Sequence, residues 1–332
     1  MTTKHGPKAF TQILADLANE KYPPRKQDLR ALSDLNAKQV AAFVEAWPKI
    51  SVARRLTIMN ELGQLAEETF DLDIRAVARA ALNDPDGEVR ASAIRNLWED
   101  EGVDLIDILM TVLNRDPAPE ARAAAATALG QYVYLGQMEE LDPALARKVE
   151  DTLLSIYAGA DTPDIRRRAL ESIGFADRPD VAAAIDQAYE SGDEQLRVSA
   201  LFAMGRSLDQ EKWGAMVLND LTHLSPRIRF EAARAAGELS LADSIPALGQ
   251  LIRDVDPEVR EISIWALGEI GGDDARELLQ NLLEDADDDG LAEIIDDALA
   301  NVEVMDGIAD FSLLGLDDDD EDDARARNAR LN

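Results

Sequence analysis

Residues 259–268 read VREISIWALG, and the same ten-residue phrase returns along the chain: VRASAIRNLW at 89–98, ARAAAATALG at 121–130, IRRRALESIG at 165–174, LRVSALFAMG at 196–205 and IRFEAARAAG at 228–237. Each copy opens on an apolar residue and an arginine, places a small residue three positions on, and in all but the copy at 89–98 closes on glycine. The arginines, Arg90, Arg122, Arg166, Arg197, Arg229 and Arg260, are spaced by 32, 44, 31, 32 and 31 residues. A period of that length is the mark of a repeat array. Two weaker copies extend it: ARRLTIMNELG at 53–63, aligned on Arg55, and LAEIIDDALA at 291–300, where Ala292 takes the place of arginine. Eight repeats result, with the outer two degenerate, as expected of end repeats that face water on one side.

The phrase is helical. Counted from the arginine, positions −1, +3, +4 and +7 are apolar or small, one stripe of a 3.6-residue period. Position +3 is Ala93, Ala125, Ala169, Ala200, Ala232 or Ser263, a column of small side chains that lets neighbouring helices approach. Pro119, Pro163, Pro226 and Pro257 stand three residues before their arginines, at the first helical position, where a missing N–H has no consequence. Asp86, Thr162, Ser225 and Asp256 precede the helices as N-caps. The glycine at +8 is expected to end or loosen each helix. Between these helices lies a second amphipathic set: VDLIDILMTVLN at 103–114, DVAAAIDQAYES at 180–191, DSIPALGQLIRD at 243–254 and DARELLQNLLED at 273–284.

Two helices per 31 or 32 residues, Asp-Pro turns and Val-Arg helix starts resemble the HEAT-repeat family, in the bacterial form first noted in phycobilisome lyases. The resemblance covers roughly residues 50–303. It implies an all-α fold, an α-α superhelix or solenoid of about eight two-helix repeats. It also implies that the repeated arginine is structural, pairing with turn carboxylates or backbone carbonyls of adjacent repeats, and that the exposed side of the Arg-bearing helices lines a concave surface. Residues 1–50 carry helical patterning in AFTQILADLANE and NAKQVAAFVEAW and are expected to form an N-terminal helical cap. Residues 51–303 are the solenoid, and 304–332 are an acidic tail whose Asp317–Asp323 run is expected to be disordered. Phe311, Leu313, Leu314 and Leu316 are expected to cover the last repeat. The long 44-residue interval is expected to hold a longer loop near Tyr132–Pro143 and a lengthened helix. Trp98, standing where glycine is usual, is expected in the core.

The composition bounds the function. Apolar residues make up 46% of 332 residues, enough for a continuous core, while aromatics are only 5%. The formal net charge is −32, with +5 in residues 1–55 and −17 in residues 271–332. Such a field repels nucleic acid and anionic membranes and attracts basic proteins or cations. No cysteine is present, which excludes disulfides, thiolate metal sites and cysteine nucleophiles. No run of 18 apolar residues exists to span a membrane, and the N-terminus lacks a signal-peptide stretch, so a cytoplasmic address is expected.

Catalysis has little to build on. The two histidines, His5 and His223, are far apart, and no Gly-rich phosphate loop, G-x-S-x-G or H-E-x-x-H is present. The expected function is that of a non-catalytic scaffold binding a protein, preferably a basic one, with no cofactor. The family resemblance implies one alternative, an accessory subunit similar to HEAT-type bilin lyase components. Positions +5 and +9 of the Arg helices form the candidate binding surface: Arg95, Phe202, Arg206, Arg234, Glu238, Trp265 and Glu269. Aromatic and arginine side chains are what interface hot spots are made of. One cation pattern occurs. Asp285, Asp287, Asp289 and Gly290 match the start of a D-x-D-x-D-G calcium loop, with Asp296 at its twelfth position. The candidate ion is calcium or magnesium.

Overall fold

A computed structural model describes residues 8–69, 71–286 and 289–313, the side chains of 306 and 308–313 excepted. No strand occurs among the described residues. The chain divides into two compact units, Met1–Val181 and Ala182–Asn332.

In the first unit, α1 (Phe10–Leu17), α2 (Lys26–Arg30) and α3 (Ala37–Ala46) precede the repeats. Four helix pairs follow: α4 (Val52–Glu68) with α5 (Arg75–Ala81), α6 (Gly87–Arg95) with α7 (Val103–Arg115), α8 (Pro119–Gln137) with α9 (Pro143–Ala158), and α10 (Pro163–Ile173) with α11 (Pro179–Glu190), in which the unit boundary falls. The second unit holds α12 (Glu194–Arg206) with α13 (Gln210–Asp220), α14 (Pro226–Glu238) with α15 (Ile245–Leu251), α16 (Pro257–Ile270) with α17 (Gly272–Glu284), and the single helix α18 (Asp289–Leu313). Helix α18 runs through residue 304, where the sequence pattern places the start of the tail; Leu314, Leu316 and the Asp317–Asp323 run lie outside the described residues, as do the side chains of Phe311 and Leu313.

Within each unit the Arg-bearing helices pack side by side, α4 to α6 to α8 to α10 and α12 to α14 to α16 to α18. Helices α5, α7, α9, α13, α15 and α17 each pack on the Arg helix that follows, so each unit has two layers. The six small residues at position +3 are all fully buried between the layers. Asp86 and Asp256 cap their helices, accepting from the backbone N–H groups of Glu88 and Val89 and of Glu258. Thr162 accepts from Ile165 N at 3.5 Å. Ser225 holds the N-cap position of α14 but makes no side-chain cap bond; its hydroxyl donates to Glu194 Oε1 at 3.0 Å instead. Asp193 caps α12.

The repeated arginine works as a ladder between successive turns. The Arg90 guanidinium donates to both Asp116 oxygens at 2.8 and 2.6 Å and to the Asp84 carbonyl at 2.6 Å. Arg229 binds the Asp254 carboxylate at 2.8 and 2.7 Å and the His223 carbonyl at 2.8 Å. Arg122 pairs with Asp161, Arg197 with Asp220 and Arg55 with Asp84. Arg260 donates to the Asp254 carbonyl at 2.8 Å. The carboxylates also organise the turns: Asp84, Asp116 and Asp254 each accept from the backbone N–H two residues on. Charge-assisted, largely two-pronged bonds of this kind fix orientation as well as supply energy.

Three expectations need correction. The glycine at +8 stands within one residue of the helix end in α10, α12 and α14 but does not end α4, α8 or α16, which run on past it. It is there because the next Arg helix leaves no room for a side chain. A Cβ on Gly237 would stand 3.0 Å from Ala266 Cα, and one on Gly268 would stand 3.0 Å from the Ala298 carbonyl oxygen. The long interval holds the expected lengthened helix but no long loop. Helix α8 extends to Gln137, because Leu129, Tyr132, Val133 and Leu135 continue its buried stripe. The Tyr132 hydroxyl donates to the carbonyls of Asp100 and Gly102 at 2.9 and 3.1 Å. Trp98 is not core: α6 ends at Arg95, so Trp98 falls in the following turn and is 47% exposed.

Candidate protein-binding face

Gly205 packs against Ala235, Gly237 against Ala266 and Gly268 against Ala298. This shared register aligns the +5 and +9 positions of the second unit into two columns along α12, α14, α16 and α18. The +5 column is Phe202, Arg234, Trp265 and Asp297; the +9 column is Arg206, Glu238, Glu269 and Asn301. The structure thus brings six of the seven proposed partner-binding residues onto one face. The seventh, Arg95, belongs to the first unit, exposed at the end of α6.

The face is ordered by its own charges. The Phe202 ring carries two guanidinium groups, Arg206 at 4.4 Å and Arg234 at 4.0 Å from the ring centre. Each such contact is worth about 0.5–2 kcal/mol, depending on desolvation. Arg234 is held further by Glu231 and Glu238, and its Nη2 donates to the Phe202 carbonyl at 3.2 Å. Glu238 gives its Oε1 to Arg234, while its Oε2 is enclosed against Gly205 with no donor among the described residues. Glu269 accepts from Asn301 Nδ2 at 2.8 Å. Burial pushes the Glu269 carboxyl above the usual carboxylate range; the Asn301 bond opposes this, and the neighbouring Glu238 charge adds to it. Trp265 stands 36% exposed at the centre of these groups, with the edge of its ring over Gly237.

The first unit presents an aromatic surface that the +5 and +9 count reaches only at Phe175. Tyr134 and Phe175 meet edge to face at 5.2 Å. Trp98, Tyr134 and Met138 are each more than 40% exposed. The available signal was the pair Tyr132 and Tyr134 in an extended helical period, which turns one tyrosine inward and the other out.

The acidic segment forms no twelve-residue loop, since the chain is helical from Asp289 onward and Asp296 lies two turns into α18. Asp285 sits in the turn after α17, 3.9 Å from Arg253, and Asp287 lies outside the described residues. Among the described residues no group of three or more histidine or carboxylate side chains is arranged to hold a metal ion. His223 serves its turn, its Nδ1 accepting from Ser225 N at 3.0 Å; His5 lies outside the described residues. No described helix is long and apolar enough to cross a membrane.

No curated protein matches the sequence. Among solved structures, the YibA protein of Escherichia coli is 19% identical over 72% of this chain and 96% of its own, with a TM-score of 0.41. The CpcE–CpcF complex of phycocyanin lyase from Nostoc sp. PCC7120 is 20% identical over 69% and 94%, with a TM-score of 0.44. Human deoxyhypusine hydroxylase is 19% identical over 89% and 96%, with a TM-score of 0.30. The family model describing HEAT repeats matches residues 74–152 and 214–300, together half of the chain. With its paired helices, arginine ladder and glycine contacts recurring in that same register, the chain belongs to the HEAT-repeat family.

Proposed function

We propose that the protein is a non-catalytic scaffold and that the α12–α18 face of its second unit binds a basic protein partner. The observation that carries this is the Phe202–Arg206–Arg234 stack beside the exposed Trp265. A surface without a binding role gains little from an aromatic ring fixed by two cations and a second, partly exposed ring beside it. Rotamers fixed before binding lower the ordering cost of association, and large rigid side chains supply most of the energy at interfaces. The net charge of −32 favours encounter with basic proteins at low salt.

The test is a capture experiment with the full chain and its Phe202→Ala/Arg234→Ala/Trp265→Ala variant, folding of both being checked by circular dichroism. A discrete basic protein held by the wild type and lost by the variant supports the face as the binding surface. The same protein held equally by both would refute it.

A further inference from the structure

We propose that Trp265 is the seat for a single lysine or arginine side chain of the partner. This rests on the reading just given and adds the chemistry of its central contact. Phe202 and Trp265 occupy the same position of their helices, two repeats apart. Phe202 is already covered by two cations of the protein itself, whereas among the described residues none lies over Trp265. The arginine of the same column on the preceding helix, Arg234, is committed to Phe202, Glu231 and Glu238. Trp265 is therefore an aromatic face without the partner that its counterpart possesses.

The charges around it are of the complementary sign. Glu261 and Glu269 lie one turn before and one turn after Trp265 on α16, and so flank it on the helix surface. Asp297 follows in the same column on α18, and Glu238 lies on α14 behind it. Among the described residues no cation pairs with Glu261, Glu269 or Asp297. Two of these carboxylates, Glu261 and Asp297, are exposed and open to an incoming group. A cation seated on the indole would meet the ring's negative face and neutralise this cluster together, a combination that a neutral or acidic side chain gains nothing from. It would also offset the smaller, repulsive part that Glu238 adds to the burial holding the Glu269 carboxyl up.

The test uses the full-length protein and fluorescein-labelled octalysine and octa-arginine, with octaglutamine as the uncharged probe. Binding is followed by anisotropy, and the Trp265 indole N–H by nitrogen-15 NMR, assigned through Trp265→Phe. The cationic peptides are expected to shift that resonance and octaglutamine to leave it unmoved. Trp265→Ala, and separately Glu261→Gln/Glu269→Gln, should weaken cationic peptide binding about fivefold or more. The charge-matched pair Glu99→Gln/Glu101→Gln in the first unit should change it less than about twofold. Equal weakening by both pairs, or an indole signal that ignores the cationic peptides, would overturn the proposal, because the acid would then be acting only as a diffuse field. A natural partner lost by the triple variant but kept by Glu261→Gln/Glu269→Gln would reject the cation seat alone. A partner kept by both would reject the binding face itself.

Discussion

Removing the Asp84 carboxylate, as in Asp84→Ala, is expected to destabilise the first unit by about 3–5 kcal/mol. The side chain has no exposure and faces Arg55, itself only 5% exposed, across a 2.8 Å ion pair. One Asp84 oxygen accepts the Trp47 indole N–H at 2.7 Å; the other accepts Arg55 Nη2 at 3.1 Å and the Asp86 backbone N–H at 2.9 Å. The alanine leaves a buried guanidinium, an indole N–H and a backbone N–H without an acceptor, and the Ile50 carbonyl, 2.7 Å from Arg55 Nη1, satisfies only one of the guanidinium's donors. The scale is set by a contrast. Lys49 and Glu45 also pair, at 3.1 Å, but are 70% and 81% exposed, and such a pair is worth about 0.5 kcal/mol or less. The assay is urea unfolding followed by circular dichroism, with hydrogen exchange of α4 amides to localise the loss. Adding Arg55→Met to Asp84→Ala should recover stability, since the stranded charge is then gone. A loss below about 1 kcal/mol, or a double variant no more stable than Asp84→Ala, would refute the account of a buried rung.

Gly268→Ala should lower stability by about 1–3 kcal/mol through overpacking, where helix propensity alone would raise it by about 1 kcal/mol; the sign of the change in a urea titration decides. Tyr132→Phe strips the donor from the Asp100 and Gly102 carbonyls and is expected to cost about 1–3 kcal/mol, measured in the same way. Two carboxylates should tilt the pH profile in opposite senses. The Arg229 hydrogen bond holds Asp254 below the usual carboxylate range despite burial, so its contribution is present above about pH 4 and lost as pH falls through the folded value. Asp254→Asn should flatten the acid limb of a plot of Tm against pH. Glu269 is pushed upward by burial, so the folded state holds its proton longer and stability falls as pH rises through the folded value. Glu269→Gln should remove that fall.

Much of this was legible in the sequence because it repeats. The arginine ladder, the proline helix starts and the buried alanine column recur at fixed intervals, so each copy confirms the others. Features that depend on a neighbour's approach were not legible. Nothing local to Gly237 or Gly268 tells a helix-ending glycine from one pressed against the next helix; only the 3.0 Å contacts distinguish them. Trp98 shares its repeat position with those glycines, yet its helix stops three residues earlier, at Arg95, and the side chain turns to water. The proposed binding face rests on counting +5 and +9, which places residues but not partners. That Arg234 turns to Phe202 and leaves no cation over Trp265 is a matter of rotamers, and the proposed cation seat depends on it.

Two arginines from successive repeats meet on a single turn residue at Asp84 and again at Asp254. Arg55 and Arg229 take the carboxylates, while Arg90 and Arg260 take the main-chain carbonyls of the same residues. Such a residue is a junction rather than a rung end: freeing its turn releases donors on both sides at once. Fraying that reaches Asp254 therefore unfastens the repeats before and after it together, and the second unit should unravel in steps larger than one helix pair. Each junction ties the fate of one repeat to the next, so local damage at a turn travels along the stack instead of stopping at the nearest helix end.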